Sequence, residues 1–231
     1  MTRQFKGLLY FYAANYRHSL SIFYVILAGI LLVSLAFAYF LYQTDSNAMA
    51  FSLTGPMYIY CSIVGFLTVK EAVPFAIRMG ATRKKMYASL GIFFLGLTSA
   101  MAVVASIFQE IIMGLISVSG AFTFLHPAQM MENNWYTRIL VDISIMFCLM
   151  AIMFLLGLLF YRYGLAGGGS VLGVMVVVIL GGIAQGWLVE FLVDLFQSFS
   201  MTLFLKIFLV GLFAYVLSWM FIRNITTVKV K

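Results

Sequence analysis

Apolar positions in this chain come in blocks of about 20 residues, separated by short polar breaks. The blocks cover roughly Leu20–Tyr42, Ala50–Val69, Met86–Gln109, Ile139–Tyr161, Gly168–Val189 and Leu203–Ile222. About 20 apolar residues make a helix long enough to cross the hydrocarbon of a bilayer. Inside lipid, only a helix or a closed barrel satisfies every backbone polar group. The pattern therefore predicts an all-α, polytopic membrane fold with six transmembrane helices.

A different pattern precedes the first block. In residues 1–18, Phe5, Leu8, Leu9, Tyr12 and Tyr16 fall on one helical face, and Arg3, Lys6 and Arg17 fall on another. This predicts a helix lying in the membrane interface with its aromatic side down. The plainer alternative is a basic flank that only orients the first span. A polar turn with Asp45 and Asn47 follows that span, and Gly55-Pro56 reads as a kink near the outer end of the second.

The uncharged stretch Ile111–Met131 is long enough to add a seventh crossing, and charge argues against it. With six spans, twelve of the fourteen Lys and Arg residues share one side, leaving Arg138 and Lys206 on the other. A seventh span would expel Arg162 and the basic C-terminus, against the positive-inside bias. Six of the seven acids, all but Glu71, then lie at or beyond the outer half. Gly114, Gly120 and Pro127 also suit a bent external or re-entrant segment over 110–138. Both termini are expected in the cytoplasm.

Composition agrees. Hydrophobic residues are 64% of the chain and charged residues 9%, against about 25% charged in soluble domains. Residues 1–231 read as a single transmembrane domain with no room for an appended ATPase or kinase. The net charge of +7 belongs to span ends facing anionic headgroups, so no nucleic-acid partner is expected. Cys61 and Cys148 lie in apolar blocks and read as small buried hydrophobes. The first block is too long for a signal-peptide core, so it is expected to be retained.

The sequence carries no phosphate-binding G-x-x-x-x-G-K-[ST] and no H-E-x-x-H. Gly167-Gly-Gly-Ser170 lacks the spacing of a dinucleotide loop. No catalytic residue, metal ligand or cofactor-binding residue is assigned to this chain, and it is not expected to be an enzyme. Asn224-Ile-Thr226 fits a glycosylation pattern on the cytoplasmic side, where it is discounted. His18 at the interface and His126 outside read as structural. Glu110, Asp142, Glu190 and Asp194 are expected at one outer level, lining a wet external vestibule, with Arg138 pairing Asp142 one turn away. Gly169-x-x-x-Gly173 and Gly182-x-x-x-Gly186 either permit close helix approach or reflect glycine abundance alone. Lys206 is placed to snorkel outward.

The most detailed polar segment is the loop 70–85, which holds Lys70, Glu71, Arg78, Arg83, Lys84 and Lys85. Val73 precedes Pro74, which suits the first position of a helix. Phe75, Ile77 and Met79 supply apolar bulk, Arg78 lies among them, and Gly80 fits a left-handed C-terminal residue. Thr82 can cap the third span, with Arg83 at the membrane surface. The pattern predicts a short crosswise helix between spans two and three. Its apolar face needs either a partner or the lipid surface to cover it.

At Gly80-Ala-Thr-Arg-Lys84 the chain resembles the membrane subunits of type-2 ABC (ATP-binding cassette) transporters, which commonly carry a Gly-x-Thr-Arg-Lys-like stretch ending this loop. The likeness extends to size, span count, N-terminal interfacial helix and topology. It implies that residues 72–81 are a coupling helix docking on a separate cytoplasmic ATPase. It also implies that ATP and Mg are bound by that partner and that a second permease subunit, as homo- or heterodimer, completes the path. The resemblance implies export from a bacterial plasma membrane. The apolar, aromatic- and Met-rich spans suit hydrophobic or amphipathic cargo such as a peptide, antibiotic or lipid, and equally suit plain lipid-facing helices. One departure is that many members have a re-entrant pair between spans five and six, where this chain offers only Glu190–Thr202. The alternatives are a self-contained secondary transporter or channel, which would need midspan charges or inverted repeats, and an intramembrane enzyme.

Overall fold

The computed structural model describes residues 3–43, 49–116, 122–131, 134–197 and 199–223. The expected polar turn at Asp45 and Asn47, Glu132 and the 224–226 tripeptide lie outside them. The helices are α1 (Arg3–Gln43), α2 (Thr54–Arg78), α3 (Arg83–Ile116), α4 (Trp135–Ala184), α5 (Trp187–Gln197) and α6 (Met201–Ile222). Strands β1 (Met49–Phe51) and β2 (Phe122–Phe124) form a short parallel pair, and Pro127–Met130 is a single 3-10 turn. Five of the helices, all but α5, are long and apolar enough to cross a membrane.

One expected boundary is absent, and another is a break without a loop. The interfacial helix and the first span form one continuous α1. The expected amphipathic face is nevertheless real: Leu8, Tyr12 and Tyr16 are buried, while Arg3, Lys6 and Arg17 are exposed. The blocks expected as spans four and five share the 50-residue α4, which turns sharply at Gly164, φ 68 and ψ −168. Only glycine adopts that backbone conformation readily, so the helix breaks there without a loop. Gly55-Pro56 does not kink α2. It lies in its first turn, where a proline loses no helical hydrogen bond, and Ser52 Oγ accepts the Gly55 N–H at 3.3 Å. The 110–138 stretch divides between the end of α3, β2, the 3-10 turn and the start of α4, with no separate crossing helix among its described residues.

The chain forms two compact units. In the first, residues 1–60 and 88–143, α1 packs on α3 through aromatic rings. Phe93 meets Tyr12 at 5.6 Å and stacks on Tyr16 at 5.5 Å. Phe23 stacks on Tyr60 of α2 at 4.4 Å, and the Tyr60 hydroxyl donates to Ser19 Oγ at 3.3 Å. Of these rings, Tyr12 and Tyr16 belong to the face that helical spacing marked on α1; expected to face the membrane interface, they pack on protein.

In the second unit, residues 61–87 and 144–231, missing side chains set the packing. A Cβ on Gly65 of α2 would lie 2.4 Å from the Met150 carbonyl of α4. One on Gly157 would lie 3.0 Å from the Phe66 carbonyl, and one on Gly211 of α6 would lie 2.6 Å from Cys148 Cα. Backbones this close gain dispersion contact that lipid cannot replace. Cys61 and Cys148 are buried free thiols, as their apolar surroundings required. The two expected small-residue pairs act otherwise. Gly182 seats the Trp187 ring and Gly186, φ 83, turns the chain into α5, while a Cβ on Gly169 or Gly173 would meet no atom within 4 Å.

Candidate functional site

The segment between α2 and α3 departs from its expected form. No separate short helix occurs, because α2 runs through Pro74 as far as Arg78. An interior proline costs about 3 kcal/mol, through a lost hydrogen bond and a clash with the preceding turn. The flanking residues offset this: Val69, Ala72, Val73 and Ala76 are all buried at 2% exposure or less, continuing one apolar stripe. Phe75 and Ile77 are half-buried, Arg78 is exposed and Met79 is 67% exposed.

Gly80 ends the helix as its sequence position required. With φ 69, it lets the Ala81 N–H reach the Ala76 carbonyl and its own N–H reach Ile77, both at 3.0 Å. That pair of bonds is a Schellman motif, which satisfies the last carbonyls of α2. The Thr82 carbonyl then accepts the Met86 N–H at 2.9 Å, opening α3. Arg83 is half-buried and its guanidinium donates to the Arg223 carbonyl at the end of α6, so it is not a loose surface charge. Arg78 and Lys84 remain exposed.

This elbow has a brace that sequence reasoning missed. Tyr87, in the first turns of α3, stacks on Tyr215 of α6 at 4.5 Å and lies 5.0 Å from the Trp219 ring. Tyr87 and Tyr215 also exchange hydroxyl-to-carbonyl hydrogen bonds. No local pattern marks a pair 128 residues apart in sequence.

A second polar group lies in the first unit. Asp142 of α4 is 1% exposed and accepts the Tyr58 hydroxyl from α2 at 2.6 Å. Its same oxygen lies 3.1 Å from His126 Nε2. His126 Nδ1 accepts the Ala128 N–H at 3.0 Å, so that nitrogen holds a lone pair and Nε2 carries the hydrogen given to Asp142. The carboxylate thereby pins α2, the 3-10 turn and α4 together.

Arg138 does not pair Asp142, contrary to the expectation from their spacing. It is buried and donates through Nη2 to Glu110 at the end of α3. The i,i+4 spacing puts both residues near one face, but Tyr58 and His126 already give the carboxylate two directed donors. Arg138 Nε and Nη1 have no acceptor among the described residues. Glu190 and Asp194 are exposed one turn apart on α5 in the second unit, whereas Glu110 and Asp142 belong to the first.

Comparison of the chain with protein-family models, with curated proteins and with solved structures finds no match.

Proposed function

We propose that this chain is the membrane permease subunit of an ATP-driven transporter of the type-2 ABC class, with ATP and Mg bound by a separate cytoplasmic ATPase. The observation that carries the reading is the elbow from Val73 to Arg83. A Schellman-closed helix end presents Met79 and Arg78, half-buries Phe75 and Ile77, and is tied to α6 through Arg83 and Tyr87. A surface of that kind transmits force from a docked partner because it cannot bend independently of α3 and α6. The break at Gly164 supports counting six crossings, with 135–163 and 165–184 as two of them. The distribution of basic residues supports cytoplasmic termini in a cell membrane. A second permease subunit, identical or different, is part of the proposal, and hydrophobic or amphipathic cargo moving outward is the favoured direction.

The self-contained carrier has less support. The buried carboxylate Asp142 sits two turns into α4, fourth in the apolar block Ile139–Tyr161 and far from its middle, where it is held by Tyr58 of α2 and His126 of a loop turn. The test is purification from native membranes. A nucleotide-binding subunit should co-purify and form a disulfide or photo-cross-link through position 75 or 79. Recovery of the chain alone, together with substrate transport by it in ATP-free proteoliposomes, would overturn the proposal.

A further inference from the structure

A cavity of about 540 Å³ lies between α1 and α3 in the first unit. Its floor is the buried Tyr16–Phe93 stack, whose planes meet at 24°. Ala13 and Ala14 on α1 and Gly96 on α3 are exposed, and a Cβ at Gly96 would meet no atom within 4 Å. Short side chains at these three positions leave room in the groove. The volume falls within the range of about 300–1,000 Å³ typical of small-molecule sites. Arg17 is the only charged residue lining it among the described residues, and it is exposed. Helix α1 carries Arg3, Lys6 and Arg17 and has no acid from residue 3 to 43.

We propose that this groove holds one anionic phospholipid, an acyl chain lying on the Tyr16–Phe93 floor and the phosphate paired with Arg17. An apolar trough in a membrane protein is filled by whatever apolar chain reaches it, and a lone guanidinium selects the headgroup. Its planar fork matches phosphate oxygens two at a time. A second copy of this chain docking by the same face would bring together two basic α1 helices that carry no acid, which like-charge repulsion opposes. This inference needs only a bilayer and does not depend on the transport reading.

Native mass spectrometry tests it, on the full chain with whatever subunits co-purify, offered phosphatidylglycerol and phosphatidylcholine with identical acyl chains. The expected result is retention of one phosphatidylglycerol, preferred about fivefold, since one cationic side chain near anionic lipid is worth about that factor. Arg17→Gln should bring the two lipids to parity, and Arg17→Lys, which keeps the charge and loses the fork, should keep only part of the preference. Gly96→Leu and Ala14→Leu should each expel both lipids. The proposal is overturned if Arg17→Gln retains the anionic preference, or if both filling variants keep a lipid. Efficient Ala14→Cys cross-linking between two copies would also overturn it, by showing protein in the groove. If the filling variants fail to fold, the exposed Arg17 variants decide the matter alone.

Discussion

Tyr87 and Tyr215 hold each other twice. The Tyr87 hydroxyl donates to the Tyr215 carbonyl, and the Tyr215 hydroxyl donates back to the Tyr87 carbonyl at 2.6 Å, with the rings stacked at 17°. A hydroxyl that reaches a backbone carbonyl on a neighbouring helix fixes the axial register of both helices, which a ring stack alone leaves free to slide. Since Arg83 also donates to the Arg223 carbonyl, the start of α3 and the end of α6 move as one body.

Tyr215→Phe should therefore keep the stack and lose one bond. Hydrogen bonds between membrane helices average about 0.6 kcal/mol, so the thermal midpoint in detergent should fall slightly. Tyr87→Ala removes the stack as well, worth about 0.5–1.5 kcal/mol more, and should fall further. Equal midpoints for the two variants would show that the stack contributes nothing.

The glycines of the second unit divide into filled and open positions, and substitution should separate them. Gly65→Val places a methyl group where the Met150 carbonyl already lies, at 2.4 Å from the would-be Cβ. Overpacking of this kind costs about 1–3 kcal/mol or more, and here it is backbone that must move. The variant should express poorly or lose its cooperative thermal transition. Gly173→Val meets nothing within 4 Å in this chain and should express normally. If Gly173→Val is as damaging as Gly65→Val, a partner outside this chain occupies that face.

Much of this architecture was legible in the order of residues. The length of the apolar blocks located the helices, and the spacing of Leu8, Tyr12 and Tyr16 gave the face of α1 that is buried. Gly80 was legible as a helix terminator because glycine readily takes the left-handed conformation that closes a helix. What failed to show was anything depending on competition between partners. Pro74 looked like a helix start, but the buried stripe Val69, Ala72, Val73 and Ala76 outweighs one lost hydrogen bond. Arg138 and Asp142 looked like a pair, but Glu110, His126 and Tyr58 arrive from elsewhere in the chain and take them apart. Gly164 was hidden among neighbouring glycines, since φ cannot be read from composition.

His126 and Asp142 should behave as a structural latch. Asp142 is buried and holds two donors, and hydrogen bonds to a charged group contribute about 1.5–3 kcal/mol each. His126→Ala removes one of these two donors from the carboxylate and frees the 3-10 turn from α4. Its thermal midpoint should drop, and protease cleavage near 126–131 should speed up. Tyr58→Phe should lower the midpoint without exposing that turn, because His126 still holds it. Unchanged proteolysis in His126→Ala would mean the turn is fixed by other contacts.

The elbow gives the sharpest test of the proposed coupling role. Phe75 is half-buried and Met79 exposed at the end of a helix whose last carbonyls are closed through Gly80. A docked ATPase that covers the Phe75 ring would gain about 25 cal/mol for each Å² of apolar surface removed from water, so an anchoring phenylalanine is worth about 2–3 kcal/mol. Phe75→Ala should leave the chain inserted and folded while weakening ATPase association by tenfold or more. Gly80→Val forces a β-branched residue into φ 69, breaks the closure between Ala81 and Ala76, and should uncouple hydrolysis from transport even where the ATPase still binds. Arg83→Ala removes a bond to α6 and not a docking contact, so it should lower the thermal midpoint more than it lowers ATPase binding. Paired measurements of thermal midpoint and ATPase pull-down on the three variants separate these effects. Normal ATPase binding and transport by Phe75→Ala would reduce the elbow to a turn between α2 and α3, and the permease assignment would lose its main support.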